Sequence, residues 1–215
     1  MYLSRLILNP RSRAVQRDLA NPYELHRTIM AAYPEDLPDR ERVLFRTEVD
    51  PRTGVPTLLV QSVTAPDWSD LAARGDYLLP EPQWPPSVFA NPATKTFDLA
   101  LAAGQILAFR LRANPTVKRE GSRHGLYKEE DQRAWLDRKG RRGGFEVRRL
   151  TVVQEGNTYA WIRRNGKTRK VTHFAVRFDG LLRVTEPEIL SKTVAEGVGP
   201  AKGFGFGLLS LAPPP

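Results

Sequence analysis

The chain has no cysteine among its 215 residues, so disulfides, thiolate metal sites and cysteine nucleophiles are excluded. Histidine is nearly as scarce. Only His26, His124 and His173 are present, without the HxH or HxxxH spacing of a catalytic zinc site, and a protein with no metal and no cofactor is expected. Long apolar runs are missing too. None approaches the length of a bilayer span, so no membrane partner is expected. The opening MYLSRLILNPRSR is too short and too interrupted by arginine for a secretory signal, and the expected location is cytoplasmic.

What is present in surplus is positive charge. Thirty-three Lys and Arg against twenty-four Asp and Glu give a net charge of +9 and a pI near 10.1. Such a surplus draws polyanions, because pairing phosphates with cations releases condensed counterions. A generally solvated basic surface is the blander reading of the same charge. With 40% hydrophobic residues, the chain can bury a core as one domain or two small ones.

Tyr2 to Leu8 reads as a strand. Asn21-Pro22-Tyr23-Glu24 starts a helix, with Asn21 as cap, Pro22 in the first turn and Glu24 as the capping-box acid. Leu25, Ile29, Ala32 and Tyr33 follow at helical spacing, and Pro34 ends the run. Val43 to Val49 and Thr57 to Val63 read as strands joined by a turn at Asp50 to Gly54, before a short helix near Asp67 to Ala73. The proline-rich stretch from Pro80 to Pro92 reads as a linker or irregular edge. Beyond it, Gln105 to Arg112 alternates, with Leu107, Phe109 and Leu111 inward and Arg110 and Arg112 outward. A basic loop precedes a helix from about Lys128 to Lys139. Phe145 to Val153 and Tyr159 to Arg163 read as strands, and Asn165-Gly166 as a hairpin turn. A return strand runs through Phe174, Val176 and Phe178 to end at Asp179-Gly180, and Leu182 to Thr185 continues the sheet. A helix at Pro187 to Glu196 and a strand at Leu208 to Leu211 close the chain. The second half repeats the element order of the first with extra hairpin strands. The expected fold is α+β: two tandem ferredoxin-like (βαββαβ, RRM-like) domains, residues 1–90 and 91–215, a reading that rests on element order.

Tyr23 and His26, three residues apart, share one face of the first helix beside its core stripe. A histidine near a helix N-terminus has its charged form disfavoured, and a neutral imidazole can act as acid or base near neutral pH. A surface histidine beside a packing tyrosine is the simpler alternative. Cations gather in three places. Arg163, Arg164, Lys167, Arg169 and Lys170 crowd the hairpin tip without an acid. Arg138, Lys139, Arg141 and Arg142 close a helix, and Lys118, Arg119 and Arg123 lie in the basic loop. Cations at a helix C-terminus and on sheet edges have structural uses, yet so uniform a tip suits phosphate contacts in an RNA groove. Near the end, five glycines surround one lysine in Gly197-Val198-Gly199-Pro200-Ala201-Lys202-Gly203-Phe204-Gly205-Phe206-Gly207. Such a loop allows close backbone approach to phosphate, or equally tight packing on the sheet. Its helix-glycine-strand order is the reverse of a dinucleotide fingerprint, and Lys202 lacks the Ser or Thr of a P-loop.

Taken together, MYLSRLILNP, YELHRTIMAAYP, FRLRANPTVKR at 109 to 119, RAWLDRK and the terminal GVGPAKGFGFGLLSLAP resemble the CasE (Cse-type) endoribonucleases that process CRISPR RNA within type I-E Cascade. The resemblance spans nearly the whole chain. It implies two ferredoxin-like domains, the stem-loop of CRISPR repeat RNA as substrate, and other Cascade subunits as partners. It also implies metal-independent cleavage by 2′-OH attack, leaving a 2′,3′-cyclic phosphate and a 5′-OH. The family's helix histidine and nearby tyrosine fall on His26 and Tyr23. RNA contact is expected from Arg27, Arg110, Arg112, Lys118, Arg119, the hairpin-tip and helix-end cations, Gly199, Lys202 and Gly203. A lysine carried by some members just over one turn after the histidine has no counterpart in Thr28 to Ala32, leaving Arg27, Lys202 or another cation to supply its charge. A non-catalytic RNA-binding subunit of the assembly is the alternative function.

Overall fold

In the computed structural model, the described residues are 1–38, 41–80 and 90–215, with Arg164 described by its backbone alone. Most of the proline-rich segment expected as a linker, residues 81–89, lies outside them.

The first half runs β1 (Tyr2–Ile7), α1 (Arg13–Ala20), α2 (Pro22–Met30), β2 (Leu44–Val49), β3 (Pro56–Ser62), α3 (Ser69–Ala72) and β4 (Ala93–Thr96). Its antiparallel sheet has the order β2-β3-β1-β4. Because β4 pairs with β1, this sheet extends past residue 90. The second half runs β5 (Ile106–Ala113), the small hairpin β6 (Thr116–Arg119) and β7 (Ser122–Gly125), α4 (Glu129–Arg142), β8 (Phe145–Arg164), β9 (Lys167–Val184), α5 (Pro187–Glu196) and β10 (Leu209–Ala212). Its antiparallel sheet has the order β10-β5-β9-β8.

Each sheet carries its own core. Leu6, Leu8, Ile29, Phe45, Leu58 and Val60 gather under the helices of the first half. Leu111, Trp135, Leu136, Phe178, Leu182 and Leu190 do so in the second. The alternation in β5 holds as expected: Leu107, Phe109, Leu111 and Ala113 are buried, while Arg110 and Arg112 are only partly so.

Several elements differ from the sequence expectation. Helix α1 is the plainest addition. Ser12 caps it by accepting from Val15 N–H at 3.4 Å. Its one fully buried acid, Asp18, breaks the apolar pattern that would announce a core helix. The strands expected at Phe145–Val153 and Tyr159–Arg163 are one ribbon, β8, which passes two register shifts instead of ending. Its partner β9 likewise runs through Asp179-Gly180. A Cβ at Gly180 would meet the Arg149 carbonyl oxygen at 1.9 Å, so this glycine admits the bulged neighbouring backbone and makes no turn. The expected basic loop contains the β6–β7 hairpin.

The halves are locked by polar bonds across their junction. Buried Arg46 on β2 donates to the Leu208 carbonyl at 3.3 Å and Ser210 Oγ at 3.0 Å, and Gln61 Nε2 donates to the Val194 carbonyl at 2.7 Å. Glu48 pairs with Arg46 at 2.8 Å and with Arg110 at 3.2 Å. Arg110 then reaches Asp179 at 2.6 Å.

Within the first half, Asp18 ties α1 to α2. It accepts from Thr28 Oγ1 at 2.6 Å, Tyr77 Oη at 2.9 Å and Arg17 Nε at 2.9 Å. Burial, aided by Asp18, pushes the Tyr77 phenol well up, so it remains a donor. Removing the carboxylate leaves the buried Tyr77 hydroxyl and the half-buried Thr28 hydroxyl without their acceptor. Asp18→Ala is expected to lower unfolding free energy by about 2–4 kcal/mol, read from urea melts. A loss below about 1 kcal/mol would show the network to be dispensable.

Candidate nucleic-acid interface and active site

Helix α2 begins where sequence chemistry places it. Asn21 Oδ1 accepts from Tyr23 N–H at 3.3 Å, Pro22 occupies the first turn and Glu24 is the first-turn acid. Leu25 and Ile29 are buried inward, which leaves His26 on the flank. The imidazole lies 6.0 Å, centroid to centroid, from the Phe45 ring of β2, at 11°. Its Nδ1 is buried without a hydrogen-bond partner. Burial holds the His26 pKa below its ordinary value, because desolvation penalises imidazolium. The ring is therefore neutral at neutral pH unless an anion arrives to favour the charged form.

Opposite this ring lies the glycine-rich loop. A Cβ at Gly203 would stand 3.4 Å from His26 Nε2, so the hydrogen in its place leaves an opening at that nitrogen. Gly199, at φ +88°, sits where a Cβ would come within 3.0 Å of the Trp135 ring. His26, Met30, Arg42, Gly199, Lys202 and Gly203 all line a cavity of about 360 Å³. Burial, followed by Arg42, holds the Lys202 pKa down, with Lys139 adding to the effect and Glu196 opposing it. Lys139, 5.8 Å over the Trp135 ring, is also held down by burial and then by Arg142, Arg123 and Arg138. Cations that depress one another are relieved by an entering polyanion.

The remaining candidates are spread more widely. Tyr23 is half-buried, one turn before His26, and is not among the described residues lining the cavity. Arg27 turns away, pairing with Glu24 at 3.0 Å. It lines a separate depression with Arg17, Thr28 and Arg74. Arg110 is held by Asp179 and Glu48. Arg112 is held by Glu155 at 2.6 Å and Thr158 at 3.2 Å, 4.6 Å above the Phe206 ring. Lys118 and Arg119 are exposed on β6, Arg138, Arg141 and Arg142 lie around the end of α4, and Arg163, Lys167, Arg169 and Lys170 are exposed at the β8–β9 tip. The Arg164 backbone pairs with Lys167.

Three residues enter that sequence alone does not single out. Arg42 precedes β2 in a segment without periodicity and reaches the cavity only through the fold. Tyr159 and Trp161 are exposed on β8, 6.3 Å apart, and Lys170 Nζ lies 3.9 Å from the Tyr159 ring centroid. The Tyr-Ala-Trp alternation beside a basic turn was the available signal. Among the described residues, no cluster of His, Asp and Glu could hold a metal ion. No helix there is long and apolar enough to cross a membrane.

A helix-borne imidazole facing a cation-lined, glycine-walled cavity is an arrangement suited to phosphodiester chemistry. The chain belongs to the CRISPR-associated protein family, whose model matches residues 1–213. It is 40% identical to the CRISPR-associated endoribonuclease Cse3 of Thermus thermophilus, covering 99% of this chain and all of the relative. Identity to the CRISPR system Cascade subunit CasE of Escherichia coli is 33%, at the same coverage. Among solved structures, Thermus thermophilus Cse3 bound to an RNA representing a pre-cleavage complex superposes with a TM-score of 0.82. The two are 39% identical over 99% of this chain and 98% of that one. The Cas6e protein of Escherichia coli gives a TM-score of 0.67 at 30% identity, over 99% and 100% of the respective chains.

The opening at Nε2 yields a direct test. Gly203 has no positive φ, and an added methyl would make ordinary contacts with the His26 ring. Gly203→Ala is therefore expected to fold and melt like the parent while its RNA cleavage falls by roughly tenfold or more, since small displacements from attack geometry carry such penalties. Parental cleavage rates in this variant would show that reacting groups do not use that space.

Proposed function

We propose that this chain is a metal-independent endoribonuclease that cuts the stem-loop of CRISPR repeat RNA in the cytoplasm. It then keeps the mature RNA as a subunit of Cascade. The observation that carries the reading is His26, its Nε2 left open by Gly203, in a cavity that Lys202 and Arg42 also line. The relatives named as a CRISPR-associated endoribonuclease and a Cascade subunit supply the substrate and the assembly. The order of elements and the strand orders β2-β3-β1-β4 and β10-β5-β9-β8 support reading the halves as two tandem ferredoxin-like domains.

In the proposed reaction the ribose 2′-oxygen attacks the adjacent phosphorus, and the bond to the 5′-oxygen breaks. The products are a 2′,3′-cyclic phosphate and a 5′-hydroxyl. One proton leaves the 2′-oxygen and one reaches the 5′-oxygen. His26 serves this transfer as a neutral imidazole that phosphate can charge, and Tyr23 is the second group proposed at the reacting nucleotides. Lys202, with Arg42, stabilises charge growing on the phosphate. It takes the role of the helix lysine that other members carry. The hairpin tip, the end of α4 and the β6–β7 hairpin grip the stem through its phosphates.

His26→Ala is expected to retain stem-loop binding and lose cleavage by about 10²–10⁴-fold, the usual reach of a proton-transfer group. Parental turnover in this variant would remove His26 from the mechanism, whereas a parent that binds the stem-loop and leaves it uncut would favour a non-catalytic subunit. Replacing the 2′-hydroxyl at the cut site by hydrogen should stop cleavage and spare binding. Incubation with EDTA should leave the rate unchanged and the fragments ending in cyclic phosphate; 3′-hydroxyl ends would refute the mechanism. Arg163→Ala combined with Lys167→Ala should weaken binding and flatten the slope of log affinity against log salt by roughly 0.7–0.9 for each phosphate no longer neutralised. An unaltered slope would place the RNA elsewhere.

A further inference from the structure

Asn21 occupies a junction that neither its helix nor the basic hairpin explains alone. It is the one residue between α1 and α2, with extended backbone at φ −133° and ψ 98°. Its side chain makes three hydrogen bonds. Oδ1 accepts from Tyr23 N–H at 3.3 Å, which caps the helix bearing His26. The same oxygen accepts from Trp161 N–H at 3.1 Å, and Nδ2 donates to the Trp161 carbonyl at 3.0 Å.

The last two bonds form a ladder rung. Strand β8 is an edge strand, paired with β9 on one side only. At Trp161 the outer N–H and C=O would otherwise face solvent. The Asn21 carboxamide, with one acceptor and donor hydrogens in a plane, substitutes for a neighbouring strand's peptide. Few side chains can do this while also capping a helix: aspartate accepts but does not donate, and serine cannot span both groups in this way. The rung joins positions 140 residues apart in sequence. One lies four residues before the Asn165 turn of the cationic hairpin, the other five residues before His26.

We propose that Asn21 is a positioning residue that couples RNA held by the β8–β9 hairpin to the orientation of α2, and so of His26. The proposal rests on the endoribonuclease reading. Its physical basis is that the start of α2 is bonded to the ribbon that grips the substrate. Seating a stem-loop on the ribbon therefore fixes the helix direction and holds His26 Nε2 in its place opposite Gly203.

The test uses the full chain and a repeat stem-loop RNA, with saturating protein, single turnover and EDTA present. Asn21→Asp keeps a good helix cap and an acceptor for both N–H groups, but loses the donor to the Trp161 carbonyl. It is expected to melt close to the parent and bind within about threefold of it. Its saturated cleavage rate should be lower by about tenfold or more, because the loss is in alignment and not in affinity. The hairpin variant Arg163→Ala with Lys167→Ala should slow the saturated rate in the parent and have little further effect in the Asn21→Asp background, as coupled sites behave. Should Asn21→Asp fail to fold, Asn21→Ser, also a competent cap, carries the same cycle.

A parental saturated rate in the Asn21 variant would overturn the coupling. So would a hairpin variant that leaves the parent's saturated rate unchanged, or losses that simply multiply. A parent that cuts no RNA overturns both this proposal and the endoribonuclease reading. An active parent with an indifferent Asn21 variant overturns the coupling alone.

Discussion

The seating of the glycine-rich loop against the first half is the interaction on which the rest of the site depends. Phe45 is its anvil: His26 stacks along this ring, and a Cβ at Gly205 would lie 3.1 Å from it. The loop comes from the far end of the chain, after α5, and returns to β10 beside β5. Held there, it brings Lys202 to a helix that carries no lysine of its own. Without this close approach, His26 would be one more half-buried histidine on a helix flank.

That closeness carries an electrostatic consequence. Burying an imidazole and two lysines in one region disfavours charge on each of them, and the shifts of His26, Lys139 and Lys202 all run in that direction. In the free protein this is strain against folding, offset by two separate apolar cores and by the Arg46 and Gln61 bonds across the junction. In the presence of a polyanion the same arrangement becomes an attraction. Two arginines outside the cavity serve the junction instead. Arg110 pairs with Glu48 of β2 and Asp179 of β9, and Arg112 with Glu155 of β8, so these ion pairs link the second sheet to β2 and join its own strands.

Much of this architecture is legible in local chemistry. Asn21, Pro22 and Glu24 announce the start of α2, and alternation announces β5. Where legibility fails, a local signal has a long-range cause. Gly180 has the composition of a turn but serves a bulge, because the Arg149 carbonyl from the neighbouring strand needs its space. Helix α1 hides because its buried Asp18 is satisfied by Thr28 and Tyr77, which lie 10 and 59 residues away.

The sequence by itself determined the chemical inventory: no thiol, few histidines, a surplus of cations, a capped helix bearing Tyr23 and His26, and a loop of glycines around one lysine. These follow from residue identity and from interactions a few positions apart. Tertiary structure alone decided which cations share a cavity with His26. It chose Lys202 and Arg42 and turned Arg27 away, because a helix residue's direction is set by the face that Leu25 and Ile29 bury, and because loop and helix meet only after both sheets have formed.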